Sequence, residues 1–372
     1  MALNASGNIS LGGNVVGESV NLELLKAPTA LVSLNDSDVR QLAFVDFGTI
    51  GLSDLQGKQR YIYGQQEYTT AGTYSWECPN GVSSVSVVCI GGGGGGDAGD
   101  NLIGVGGGGA GGALGYRNNV PVISGTTYTI TVGAGGVGQI TTNNIEIQSS
   151  ANGSASSAFE CIAGGGIKGS RGTAQVSIGS LNSAGGTLSG IYDGGGEGGF
   201  GGTIDTSAYG FRPPGGGGAG GYSGRGGYGG RGQRVAGTPS TSASLGGDPA
   251  AYGSGGGGGG GAGYTSDFVD YRIGTGARGG GVGIYGKGSD GAGGAGGYTY
   301  PSPSPAGYSR VDATTGGDGS ADYVSNYNSM GAGGAGGTGG QNRSAQPGLD
   351  GAVRIIWPGQ LRQFPFSGTL NA

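Results

Sequence analysis

The chain runs to 372 residues, 100 of them glycine, with 11% charged residues, no histidine and a formal charge of −5. Leu, Ile, Val and Phe are too sparse for a large conventional core, and 18 basic against 23 acidic residues exclude a global basic field that would draw nucleic acid or an anionic membrane. Without histidine the commonest general base and metal ligand are gone, as is the side chain that titrates near neutral pH.

Residues 1–60 have ordinary glycine content and several aliphatics, and read as a separate attachment module. Leu34-Asn-Asp-Ser-Asp38 leading into Val39-Arg-Gln-Leu-Ala43 places Asn or Asp at capping positions and acid in the first turn, so a short helix is predicted there. Ser6–Leu11 and Gly48–Leu55 each set a short Ile/Leu ridge in a polar frame, suited to clipping onto another subunit. No basic stretch precedes an apolar one and no run approaches 18 apolar residues, so neither a signal peptide nor a membrane span is expected, and synthesis in a cytoplasm is.

Residues 61–165 read as a β layer with the first glycine run. Strands are predicted at Gly72–Glu77, at Ser84–Ile90 after a Pro79-Asn-Gly81 turn, and at Val120–Ile123 paired with Thr127–Val132 through Ser124-Gly125. Cys161-Ile162 and Val176–Ile178 are weaker strands. Cys78, Cys89 and Cys161 are odd in number and lack Cys-x-x-Cys spacing, so no disulfide framework or zinc site is expected.

Residues 166–350 are dominated by glycine. Gly-Gly-Ala-Gly-Gly phrases centre on Ala110, Ala219, Ala295 and Ala335 at unequal intervals, and alanines recur three apart, as at Ala292 and Ala295. A period of three suits an extended helix of three residues per turn, in which each alanine falls on one edge while glycine edges let neighbouring rods hydrogen-bond and make Cα–H···O contacts. A single rod satisfies none of its own backbone groups, so a stack of polyglycine II helices is predicted. Disorder is the alternative for such a composition; the strand-like segments between runs argue against it. Unequal spacing excludes a fixed-repeat solenoid, and the double glycines exclude collagen. Residues 351–372 close the chain, with a strand at Gly351–Trp357 stopped by Pro358 and predicted to pair with the strand ending at Ile90.

Little here points to catalysis. Ile90 leading into Gly91–Gly96 mimics a dinucleotide fingerprint only because glycine is everywhere, and the required acid about 20 residues on is missing. Gly316–Asp322 departs from the calcium β-roll repeat, while Asp97/Asp100 and Asp193/Glu197 are acidic pairs that read as solvated loop charges rather than a calcium site. No nucleophile has a base partner, so no enzyme is expected, and no cofactor or metal. Tyr222–Arg234 interleaves arginine with tyrosine as RNA-binding segments do, but only four arginines from Arg212 to Arg234 on an acidic chain with no accompanying motif leave arginines lining loops or rod ends as the stronger reading. The 19 tyrosines, many between glycine runs, supply either contact surface or cover for the rods.

The glycine phrases resemble those of the distal adhesins of T-even-like bacteriophages, and Gly48–Lys58 and Gly351–Pro358 look like phrases of marine-phage virion proteins. The resemblance implies a mostly β and irregular fold: a β-sandwich-like layer, a stacked polyglycine II bundle and a small N-terminal module. It implies a tail-fibre or tail-tip protein located in the virion after assembly in the host cytoplasm. Residues 1–60 would join other tail or baseplate proteins, and loops would bind a host surface polysaccharide or outer-membrane protein, with no nucleic acid partner. Because the chain carries its own attachment module and β layer, a homotrimeric fibre is expected over a monomeric cap. Tyr298, Tyr300 and Tyr308 around Pro301-Ser-Pro-Ser-Pro305 are the receptor-binding candidates, followed by Tyr264 and Tyr271. The alternatives are a purely structural fibre or collar subunit, an RNA-binding protein, and an ice-binding protein resembling small arthropod antifreezes.

Overall fold

The computed structural model describes residues 2–43, 45, 47–98, 106–142, 145–170, 183–202, 214–230, 278–287, 298–301, 308–311 and 343–365. The predicted strand at Val176–Ile178 and the phrases at Ala295 and Ala335 lie outside them. The chain forms two compact units, Met1–Tyr63 with Pro79–Ser83, and Gly64–Cys78 with Ser84–Ala372.

In the first unit the predicted helix forms at Ser37–Ala43, joined by a short helix at Val20–Glu23 and a 3₁₀ turn at Leu52–Leu55. Ser19 caps the Val20 helix by accepting from the Leu22 amide, and the Asp54 carboxylate accepts from the Gly51 amide at 2.8 Å. Val20, Leu24, Val39, Leu42 and Leu55 make a small core, against which Leu11, Leu34 and Ile50 pack. Lys26 and Asp38 form an ion pair at 2.7 Å.

The second unit is mostly antiparallel β. Of two five-stranded sheets, one runs in the order Gly64–Tyr68, Ala352–Trp357, Ser84–Ile90, Leu114–Pro121, Gly194–Gly196 and the other Leu188–Gly190, Cys161–Ala163, Ser156–Ala158, Thr127–Val132, Gly72–Glu77; a three-stranded sheet of Arg343–Ser344, Ile140–Thr142 and Ile145–Gln148 and a two-stranded one accompany them. As predicted, the closing strand pairs with Ser84–Ile90, placing Ala352 opposite Ile90 and Ile356 opposite Ser86. Ser84–Ile90 is buried throughout, because both its faces are covered. Val88 and Ile90 join a cluster with Leu114, Tyr222, Ile284 and Phe364, while the Cys89 thiol faces the other sheet and donates to the Cys161 carbonyl at 3.7 Å. Trp76 and Trp357, one from each sheet, lie 5.7 Å apart. At Gly115 the sheets approach closely, and a Cβ there would fall 2.6 Å from Leu188 Cδ2, so that side chain would have to move.

One predicted pairing is corrected. Val120–Ile123 does not form a hairpin with Thr127–Val132. The strand is Leu114–Pro121 and pairs with Ser84–Ile90, whereas Thr127–Val132 pairs with Gly72–Glu77. The Ser124-Gly125 turn is present, with Thr126 donating to the Ile123 carbonyl at 3.1 Å, but it carries the chain from one sheet to the other.

Beyond the sheets the strands run straight into glycine. Ile90 stands opposite Leu114 in the sheet, and the same register continues as Gly91, Gly94 and Asp97 donate to Ala113, Ala110 and Gly107. Gly92 and Gly95 turn to a second run, at Ser154 and Ala151, and Gly93 and Gly96 to a third, at Leu349 and Gln346. Two further runs donate into this one, Gly136 and Gln139 to the carbonyls of Gly93 and Gly96, and Gly166 and Gly169 to those of Gly92 and Gly95. Each neighbour is met once in three residues, the pattern that a threefold backbone repeat imposes. Glycine is required by the spacing: a Cβ on Gly94 would sit inside the Ile167 carbonyl, and one on Gly109 inside that of Gly94. Ala110 and Ala113 both donate to the run Gly164–Ser170, so they share one edge, as their spacing predicts.

Candidate functional site

The threefold repeat also aims side chains. After a tight turn in which Gly221 donates to the Gly224 carbonyl, residues 225–230 run alongside 197–202, with Gly226 donating to Glu197 and Gly229 to Phe200, both at 2.9 Å. Tyr222, fully buried, anchors that turn by donating to the Gly283 carbonyl and accepting from the Gly286 amide, each at 3.1 Å. Burial pushes its phenol well above the usual tyrosine range. Residues three apart share an edge, so the Glu197/Phe200 edge meets the Arg225/Tyr228 edge.

At that meeting Arg225 is held on three sides. Its guanidinium pairs with the Glu197 carboxylate, donates to the Tyr228 hydroxyl at 3.1 Å and lies 5.1 Å from the centre of the Phe200 ring. The hydrogen bond that Arg225 donates to Glu197, then that to Tyr228, raises the Arg225 pKa above its usual value. Phe200 and Tyr228 pack with centroids 5.3 Å apart. Beside this cluster opens a groove of about 420 Å³, lined by Leu188, Tyr192, Glu197, Arg225 and Tyr228 over a floor of Gly195, Gly196 and Gly224. The rings of Tyr192 and Tyr228 stay about half-exposed, each at 45%.

Of the predicted receptor-binding residues, Tyr298 and Tyr300 lie on the strand Tyr298–Pro301, which pairs with Tyr308–Val311 in a separate two-stranded sheet. Ser302 to Gly307, with most of the proline loop, lie outside the described residues. Its register brings Tyr308 opposite Pro301 and Tyr298 opposite Val311. Tyr264 and Tyr271 lie outside the described residues, as do Asp100 and the Gly316–Asp322 loop.

Acidic pairs weighed for calcium have separate partners. Asp193 accepts from the Asn118 amide at 2.6 Å, Glu197 pairs with Arg225, and buried Asp97 accepts from the Ser150 hydroxyl at 3.3 Å. No group of three or more Cys, Asp or Glu able to hold a metal occurs among the described residues. The three thiols are buried; desolvation, then Cys161, drives the Cys89 pKa well up, against the activation a nucleophile needs. Arg354, 1% exposed, belongs to the core: it lies 4.3 Å from the Tyr285 ring centre, donates to the Ile284 carbonyl at 3.2 Å and pairs with Glu67. Desolvation lowers its pKa.

Sequence reasoning found Glu197 as one of an acidic pair, and Arg225 and Tyr228 within a possible RNA-binding segment, but did not join them. Their spacing of three on each run was the available signal; the pairing of the two runs was not visible.

The protein belongs to a family of glycine-rich domains, whose description is glycine-rich domain and whose model matches residues 69–299. A search of curated proteins returned no match. Among the described residues no helix is long and apolar enough to cross a membrane.

Proposed function

We propose that this is a non-enzymatic virion fibre or tail-tip protein that displays host-binding loops on a rigid bundle of polyglycine II helices. The observation that carries the reading is the register continuing unbroken from the sheets into glycine runs bonded to as many as five neighbours. Backbone hydrogen-bonded on all sides has little freedom left, and a rigid support lowers the entropy lost when the segments it carries bind. The paired strands Tyr298–Pro301 and Tyr308–Val311 are the segment proposed to serve, because the proline-rich sequence 301–305 restricts its backbone and tyrosine is favoured at contact hot spots.

The N-terminal unit supports the attachment role. Leu31 is fully exposed, Phe47 91% exposed, and Leu25, Val15 and Val16 more than half exposed, an unusual load of bare apolar surface for so small a unit. In this reading these residues dock residues 1–60 on another virion protein, and the chains assemble as a homotrimer. The pairing of Arg225 with Glu197 compensates one cation of the Tyr222–Arg234 segment, which weighs for this reading over RNA binding.

The test is adsorption. Labelled wild-type protein should bind cells of a susceptible bacterium, and replacing Tyr298, Tyr300 and Tyr308 together by serine should abolish binding without lowering the melting temperature. Wild-type protein that binds no cell, and localises to a collar in intact particles, would replace the reading by that of a purely structural subunit.

A further inference from the structure

We infer that the groove between Tyr192 and Tyr228 is a binding site for an uncharged saccharide, distinct from the strand pair Tyr298–Pro301 and Tyr308–Val311. The inference depends on the display reading only for the source of the sugar, not for the site.

Three observations select the ligand class. The charges are compensated within the site: the Arg225 guanidinium is paired with Glu197 and shielded by Phe200, so among the described residues the groove's lining holds no unpaired cation for a phosphate, sulfate or carboxylate. Two half-exposed tyrosine rings flank it, and the C–H face of a pyranose, carrying partial positive charge, stacks on the negative face of such a ring. The Glu197 side chain remains 44% accessible, leaving acceptor capacity for sugar hydroxyls, which can in turn accept from Arg225. The volume of about 420 Å³ falls in the range of small-ligand sites and accommodates one or two sugar rings.

The site is also built in advance. Phe200 supports Tyr228 from behind, and the parallel runs lock Glu197 beside Arg225 through backbone bonds rather than flexible loops. Both partners are therefore oriented before a ligand arrives, which lowers the entropy that binding removes.

The experiment uses the full chain. An array of neutral gluco-, galacto- and manno-oligosaccharides is screened beside sialylated and sulfated ones, and the strongest neutral binder is titrated calorimetrically. Neutral glycans should bind in preference to anionic ones, and Tyr228→Ala and Tyr192→Ala should each weaken binding about tenfold, the size of a stacked hot-spot residue. Tyr192→Phe should keep the affinity. Should the alanine variants fold poorly, the NMR spectrum of tyrosine-labelled wild-type protein decides, with the ring signals of Tyr192 and Tyr228 expected to move on adding the oligosaccharide. No binding at millimolar sugar, a preference for anionic glycans, unchanged affinity in the alanine variants or unmoved ring signals would overturn the site. Cell adsorption separates this from the display reading. Adsorption without sugar binding sinks the groove alone; sugar binding without adsorption sinks the display reading alone.

Discussion

Ser84–Ile90 and Gly91–Asp97 are consecutive seven-residue stretches, both buried along their whole length, and they reach burial by different means. The strand bonds to two neighbours in a plane, Ala352–Trp357 and Leu114–Pro121, and presses side chains against layers above and below. Past Ile90 the side chains stop, backbones close in from every direction, and the N–H groups swing round to three neighbours in turn. Burying a Val or Ile contributes about 1.5–3 kcal/mol. In the glycine run each residue gains about 0.5–1.5 kcal/mol from its hydrogen bond and about 0.5–1 from a Cα–H···O contact, against about 1–2 kcal/mol of backbone entropy and more for glycine. The runs are therefore near balance by themselves, and the sheets supply both their register and their surplus stability.

The largest test of that dependence is removal of the closing strand. Deleting residues 351–372 takes out a strand bonded on both sides, with Val353, Ile355 and Ile356 fully buried, and leaves the adjoining run Ala345–Asp350 without its anchor. The truncated chain should be insoluble or protease-sensitive throughout the second unit, glycine runs included. If it resists protease like the full chain, the runs hold themselves together and the comparison fails.

Next in size is one added side chain. Gly94→Val should destabilise by about 3 kcal/mol or more, beyond ordinary overpacking, because the clash is with the Ile167 backbone carbonyl, which is fixed by the bond it accepts from Ala110 and by the bonds its run makes to neighbouring runs. Ser75→Val, on the exposed face of a strand, should stay within about 0.5 kcal/mol. Chemical denaturation of both variants measures the gap, and equal stability would mean that the runs tolerate side chains as sheets do.

A smaller effect is expected from a charge buried in the sheet. Arg354→Met should cost about 2–3 kcal/mol, less than the loss of a fully enclosed partner, because Glu67 keeps a bond from the Tyr285 hydroxyl at 3.0 Å and part of its exposure. Adding Glu67→Gln to that variant should restore most of the loss, which a double-mutant cycle reads directly.

How much of this was legible in the sequence follows from the same contrast. The Val/Ile-rich Ser84–Ile90 and Ala352–Trp357 were readable as buried strands, and their pairing followed from their bracketing the glycine region. Leu114–Pro121 was not, since Gly115 and Arg117-Asn-Asn119 interrupt its apolar text, and Gly194–Gly196 has no side chains to announce a strand at all. The threefold period marked the runs, but glycine carries no information on which run lies beside which. That partnership is set by the strands, and the groove at Glu197 and Arg225 depends on it. Tyrosine enrichment drew attention to the 298–308 loop, whereas Tyr192 and Tyr228 stood out only once the edges were paired.

The smallest effect separates the two units. In the N-terminal unit the hydrogen bond from Lys26 holds the Asp38 carboxyl below its usual pKa of 3.8, with the attraction between their charges adding to it. A carboxyl depressed in the folded state contributes its stability above the unfolded pKa and loses it as pH falls through the folded one. The Asp38 side chain is 39% exposed and that of Lys26 31%, so solvent screens the pair and the gain is small. Asp38→Asn should therefore speed amide exchange across Ser37–Ala43 slightly near neutral pH, with the difference vanishing as pH falls through the lowered folded pKa and wild-type Asp38 itself becomes protonated. Comparing variant with wild type at each pH cancels the intrinsic exchange rate. Exchange in the glycine runs should not respond at any pH, because their protection comes from uncharged backbone groups; a response there would mean that the bundle draws stability from the N-terminal unit and not from the sheets alone.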